Sequence, residues 1–162
     1  MPDVICNTSP LQYLYQIDLL HVLRGLAGHI VVPRAVVEEL SAGRAVGLSL
    51  PDPTTLDWVT VREPTSSAAL PLITDLGPGE AEVLILALES RGSIVVLDDA
   101  LARRVALMLG VRLIGTLGIL LEAKRTRLIP AVKPVLDQLQ ELRFRLASHT
   151  RTAVLVLADE LP

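Results

Sequence analysis

Hydrophobic positions along this chain fall into short apolar runs separated by stretches of helical period. Val4, Ile5, Cys6 and Asn7 read as a short buried strand, and Thr8-Ser9-Pro10 breaks it and starts a helix. SPLQYLYQIDLLHVLRGLAG reads as one helix and then another, with Asp18 as N-cap of the second and Gly25 and Gly28 ending it. HIVV (29–32) is strand-like, and Pro33 opens the helix PRAVVEELSAG, with Gly43 after its last turn. Residues 44–56 carry Gly47, Pro51 and Pro53 and look like a loop, whereas LDWVTVRE alternates as an edge strand does. Residues 64–78 are the least decided part, with a short helix over SAALPLI as one reading.

From GPGEAEVLILALESRG onward the pattern becomes clean. A buried helix from about Glu80 to Ser90 precedes the strand SIVVL (93–97). Then come the helix DALARRVALMLG, the strand VRLIG and the helix TLGILLEAKRTR. Pro130 starts a further helix, AVKPVLDQLQELR, and a final helix runs through TRTAVLVLADE. Strands alternating with helices predict a parallel sheet covered on both faces. No repeat or linker divides the chain, so residues 1–162 read as a single α/β domain.

Composition narrows this reading. The chain is 51% hydrophobic but only 2% aromatic, so the core must be built from Leu, Val, Ala and Ile. Such scarcity argues against a base-stacking surface of the RNA-recognition-motif kind, which needs several exposed aromatics. The single Cys6 forms no intramolecular disulfide. VLILAL (83–88) and AVLVLA (153–158) fall short of the ~18 apolar residues of a membrane span. With no basic, apolar leader at the start, a cytoplasmic protein with no membrane partner is expected.

Charge is unevenly placed. Residues 1–99 hold 13 acids and 5 bases, while residues 100–151 hold 3 acids and 10 bases. An acidic site beside a basic track would suit a polyanionic substrate, and ordinary solvated helix surface would look the same.

Four places put an oxygen-bearing side chain near a strand end or a helix start. Asn7 closes the first strand, where α/β folds open their ligand crevice. In RAVVEEL, Glu39 borders the inward face marked by Val36 and Leu40, while Glu38 lies farther round and can pair with Arg34. In GEAEVLILALE, Glu82 and Glu89 share a wet stripe, and Glu80 lies on another that can point into a crevice. A first-turn acid favoured by the helix dipole is the bland alternative for Glu80. In VVLDDALARR, Asp99 has a ready duty as N-cap, whereas Asp98 ends a strand with no such duty.

Other chemistries are weaker. His21, His29 and His149 have no metal-ligand spacing with the lone cysteine, which argues against zinc. Ser9 lacks the glycines of a nucleophile elbow. GPGE lacks the lysine of a phosphate loop and reads as a helix start.

The ordered set NTSPLQYL, VVPRAVVEEL, GPGEAEVLILALE, VVLDDALARRVA and LIGTLGILLEAKRTRLIP, with the tail VLDQLQELRFRLAS, resembles the PIN-domain proteins. The likeness is to the DUF3368 branch, related to VapC-type toxin ribonucleases. It spans nearly the whole chain, and the order of the segments carries it rather than any one motif.

The resemblance implies a three-layer α/β/α sandwich with a central, mainly parallel sheet. It further implies three or four acids around one or two Mg²⁺ or Mn²⁺ ions, and cleavage of RNA. Carried over by position, the first family aspartate falls on Asn7, the helix glutamate on Glu39, the third acid on Glu80 and the fourth on Asp98, with Asp99 as its substitute. Glu39, Glu80 and Asp98 are then the catalytic acids, and these with Asn7 and Asp99 are the metal ligands. Thr8 and Ser9 would orient a carboxylate or a metal-bound water. Arg103, Arg104, Lys124, Arg125 and Arg127 would hold RNA backbone. A homodimer, and a small antitoxin that occludes the acidic site, complete what the resemblance implies.

The departure from the pattern is Asn7. Its carbonyl oxygen can ligate a cation but brings no negative charge. At an effective dielectric of about 20, one charge about 4 Å from an ion is worth several kcal/mol before desolvation. Two readings follow: a metal-dependent ribonuclease acting as the toxin of a toxin–antitoxin pair, or a catalytically silent module that binds RNA or protein. A small-molecule enzyme acting on phosphates is the third.

Overall fold

The computed structural model describes residues 2–66 and 75–161, so the short helix expected over 67–73 lies outside the described residues. The chain runs β1 (Val4–Cys6), α1 (Thr8–Gln16), α2 (His21–Ala27), β2 (Ile30–Pro33) and α3 (Arg34–Ala45). A 3₁₀ turn at Pro53–Thr55 leads into β3 (Val59–Arg62) and α4 (Pro78–Glu89). Then follow β4 (Ile94–Val96), α5 (Ala100–Met108), β5 (Arg112–Ile114), α6 (Thr116–Arg125), α7 (Lys133–Glu141) and α8 (Ser148–Leu157).

All strand pairs are parallel, in the order β3-β2-β1-β4-β5, with the alternating β3 at an edge as its pattern predicts. Helices cover both faces, making the three-layer α/β/α sandwich. α4 crosses β1, β2 and β4 and is flanked by α3 and α5, while α6 packs on α2 and α8. That central place explains why Val83 to Ala87 is buried without a break: the helix has neighbours on nearly every side. Among the described residues no helix is long and apolar enough to cross a membrane.

The strand order decides where a site can form. β1 lies between β2 and β4, so the chain leaves it to one side and later returns on the other. The crevice of such a sheet opens at the carboxyl ends of these two strands. There Asn7 N–H donates to Val96 O at 3.1 Å, which extends the ladder by one rung and fixes Asn7 beside the end of β4.

Several local expectations need correction. Asp18 does not cap α2, which starts at His21 behind Leu20; it adopts φ 59° and closes α1, with Leu19 N–H donating to Leu14 O at 2.7 Å. This is a Schellman end with aspartate where glycine is usual. Arg127, Arg143 and Asp159 close α6, α7 and α8 in the same way, at φ 65°, 66° and 58°. Gly25 and Gly43 lie inside α2 and α3 rather than at their ends. They are small because Leu128 and Leu50 press on them: an added Cβ would meet those side chains at 2.8 and 2.3 Å. Pro130 precedes α7 by three residues instead of starting it. Arg34 reaches Glu63 at 3.5 Å, leaving Glu38 exposed. Of the expected wet stripe, Glu89 is exposed and Glu82 half-buried, its carboxylate accepting from Ala35 N–H at 2.9 Å and holding the start of α3.

Candidate metal centre and cleft

At the carboxyl end of β1, Asn7 is almost fully buried, 1% exposed. Its amide nitrogen donates to Glu80 Oε1 at 3.3 Å, and its buried Oδ1 has no hydrogen-bond partner. A buried acceptor left unpaired costs about 1–3 kcal/mol. Thr8, first residue of α1, donates its hydroxyl to Glu39 Oε2, and Gly79 N–H donates to Glu39 Oε1 at 2.9 Å. Three elements thus tie one carboxylate in place: α1, α3 and α4.

The GPGE turn shows its purpose here. A Cβ added to Gly79 would stand 2.8 Å from each Glu39 carboxylate oxygen and 3.0 Å from Asn7 Oδ1. Three oxygens therefore converge on the first turn of α4, in space that a side chain would fill. A Cβ on Gly77 would stand 2.6 Å from Glu80 Oε2, so this glycine lets Glu80 fold back over the helix start. Both glycines give room to carboxylates rather than to a phosphate.

Asp98 follows β4 and is held from the next strand end. Thr116 N–H donates to its Oδ1 at 2.8 Å and Thr116 Oγ1 to its Oδ2 at 2.6 Å. Asp99 takes the capping duty expected of it, accepting from Ala102 N–H at 2.8 Å. Burial pushes the Cys6 thiol pKa far up, and the nearby Asp98 charge adds to this, so Cys6 stays a neutral core residue.

A cleft of about 770 Å³ runs past these groups, lined among others by Ser9, Glu80, Asp98, Asp99 and Arg103. Arg103 Nη1 donates to Leu97 O at 3.0 Å, which anchors its guanidinium beside Asp98. The structure thus brings together Asn7, Thr8, Glu39 and Glu80 by direct contact. Ser9, Asp98, Asp99 and Arg103 join Glu80 along one cleft.

The other basic candidates do not join it. Arg104 is exposed on α5 away from the cleft lining. Lys124, Arg125 and Arg127 lie at or beyond the far end of α6, whose start sits beside Asp98. A rise of 1.5 Å per residue carries Lys124 about 12 Å away along the axis. Lys124 is committed to Glu160 at 3.0 Å and Arg125 to Glu122 at 2.8 Å. Arg125 also shares a second cavity with Val4, Ile94 and Arg112, at the amino-terminal ends of β1, β4 and β5.

Sequence reading missed Thr116, which holds Asp98, and Arg143, Phe144, Arg145 and Thr150, which line the cleft. The basic–aromatic alternation in ELRFRL was a usable signal for three of these; nothing in the sequence marks Thr116.

The family model DUF3368, described as a PIN domain, matches residues 3–160. This chain belongs to that PIN-domain family. PIN domains are generally metal-dependent nucleases. No curated protein matches this one.

The residues of this PIN domain can be tested against a divalent cation. Among the described residues no three Asp, Glu, His or Cys side chains converge closely enough to hold one by themselves. The convergent set is two carboxylates and an amide: Glu39, Glu80 and Asn7. Every donor is an oxygen, as a hard divalent cation prefers. The orphaned Asn7 Oδ1 is an acceptor in need of a positive partner. The set fits such an ion, with one negative charge fewer than three acids would supply.

Proposed function

We propose that this PIN domain is a metal-dependent RNA endonuclease, with Mg²⁺ or Mn²⁺ held by Asn7, Glu39 and Glu80. The observation that carries the reading is the convergence of Asn7 Oδ1 and both Glu39 oxygens on Gly79, beside Glu80, at the mouth of the sheet crevice. A bound divalent ion supplies acidification of a water and stabilisation of the charge that develops on the phosphate. The chain's own residues do the rest. Thr8 and Gly79 hold Glu39 in one rotamer, so its position is set before substrate arrives. Thr116 holds Asp98 by two hydrogen bonds, leaving the carboxylate's remaining lone pairs for a water or a substrate proton. Arg103 offers a fixed cation to phosphate in the same cleft.

In this reading the chain is the toxin of a toxin–antitoxin pair and acts as a homodimer, with a small antitoxin covering the acidic cleft. Resemblance to VapC-type toxins is the support for these three points.

The deciding experiment is cleavage of mixed structured RNAs in Mn²⁺, Mg²⁺ or EDTA, with Glu80→Gln as matched control. Discrete, metal-dependent products that disappear in the variant are expected. Products that persist in Glu80→Gln would sink the assignment. One observation favours a second reading, a silent binding module: the amide of Asn7 already donates a hydrogen bond to Glu80, so the cluster is partly satisfied without an ion. Folded protein that cuts nothing in any metal would shift the assignment to that reading.

A further inference from the structure

The acids do not account for the whole lining of the cleft. The chain has only four aromatic residues, one Trp, two Tyr and one Phe. Two of them, Tyr13 and Phe144, stand in this cleft edge to face, with centroids 5.0 Å apart and planes at 87°. Phe144 is set there by the end of α7, where Arg143 takes φ 66° and Phe144 N–H donates to Leu139 O at 3.0 Å. A long β-carbon side chain is disfavoured in that conformation, so a glycine would be the easier residue. What occupies the position is an arginine lining the cleft. Arg145, two residues on, lines it as well. Both are exposed, and among the described residues neither guanidinium has a hydrogen bond or an ion pair.

We propose that Tyr13, Phe144, Arg143 and Arg145 form a subsite for one nucleotide of a single-stranded nucleic acid. The inference rests on the nuclease reading of the same cleft and assigns to these four residues the holding of one base and its flanking phosphates. An unstacked base lies against the aromatic pair, and the two guanidinia take the phosphates on either side of it. The strand then continues toward Arg103, Glu80 and Asp98. A duplex keeps its base faces stacked and cannot offer one to this wall, whereas loops and single strands can. Two free cations flanking an aromatic ring match the alternation of phosphate and base along a strand.

The test is binding in EDTA, where no cleavage is scored. The intact chain is titrated with a short RNA carrying a fluorescent adenine analogue, with the DNA of the same sequence, and with the RNA annealed to its complement. Quenching with the single strands and weak binding of the duplex are expected. The RNA and DNA arms differ only by the contribution of the 2′-hydroxyl. Phe144→Leu should weaken single-strand binding about tenfold or more, and Phe144→Tyr should retain it. Arg143→Gln and Arg145→Gln should each lower the salt slope of the logarithmic binding constant by about 0.7.

Equal binding of duplex and single strand would overturn the proposal, as would undiminished binding by a Phe144→Leu protein with a normal melting curve. Absence of any oligonucleotide binding at low salt would overturn it too. Failure of the nuclease reading would show separately, as missing Glu80-dependent cleavage with this binding intact.

Discussion

Asn7 and Glu80 meet across 73 positions of sequence, the amide nitrogen 3.3 Å from Oε1, while the other end of the same amide is buried without a partner. One side chain therefore does two opposite things. Its nitrogen quiets a carboxylate, and its oxygen adds to a group of acceptors around Gly79. An aspartate would replace the only donor of this pair with a second negative charge.

Asn7→Asp is expected to destabilise the protein in EDTA by roughly 2 kcal/mol, through a buried carboxylate facing Glu80 without a donor. Mn²⁺ should restore more stability to the variant than it adds to the wild type, because the extra charge binds the ion. Thermal melts across a Mn²⁺ titration give both numbers. Equal metal-induced shifts in the two proteins would remove Asn7 from the ligand set.

Gly79→Ala separates helix propensity from site geometry. Inside most helices the change stabilises by about 0.5–1 kcal/mol. Here the new Cβ would sit within 3.0 Å of three oxygens, so a net loss of about 1–3 kcal/mol is expected, together with loss of the metal-induced shift. Urea unfolding with and without Mn²⁺ measures both effects, and a stabilised Gly79→Ala protein would contradict the packing described.

Thr116→Val removes one of the two bonds that hold Asp98 and keeps the backbone one. Stability should fall by about 1 kcal/mol, since the hydroxyl is buried. If Thr116 positions Asp98 for reaction, kcat should drop about tenfold with KM little changed, and Thr116→Ser should recover it. A matched change in KM alone would assign Thr116 to substrate binding instead.

Glu160 gives a pH test away from the site. Burial alone would raise its pKa, but hydrogen bonds from Val132 N–H, Lys133 N–H and the Lys124 ammonium outweigh it and hold the carboxyl below its usual value. A depressed folded pKa means stability that is present in full above the unfolded value of about 4.3 and is lost as pH falls through the lower folded one. The stability gap between wild type and Glu160→Gln should be constant above about pH 5 and close as pH falls below about 4. Denaturant melts at stepped pH follow it, and a gap that widens on acidification would reverse the assignment.

The alternation of apolar runs and amphipathic stretches was enough to read the order of strands and helices, because local burial patterns record which face each element hides. The positions of Asn7 and Asp98 at strand ends, and of Glu39 and Glu80 on inward helix faces, were legible for the same reason. Helix ends read less well. Asp18, Arg127, Arg143 and Asp159 close helices in a left-handed conformation that glycine usually marks, so no residue type announced it.

What lies around each acid was decided only by tertiary packing. β1 and β4 pair in parallel 90 positions apart and share one crevice, and sequence spacing has no means of saying that Thr116 grips Asp98 or that Glu39 leans on Gly79. The basic residues show the same limit from the other side. Lys124, Arg125 and Arg127 were expected to hold RNA backbone with Arg103, yet α6 carries them away from the cleft, and Arg125 lies by the amino-terminal ends of the strands. Arg143 and Arg145, from a turn after α7, reach the cleft instead. Charge along a chain is counted in one dimension, and a helix of ten residues is long enough to move it from one end of the sheet to the other.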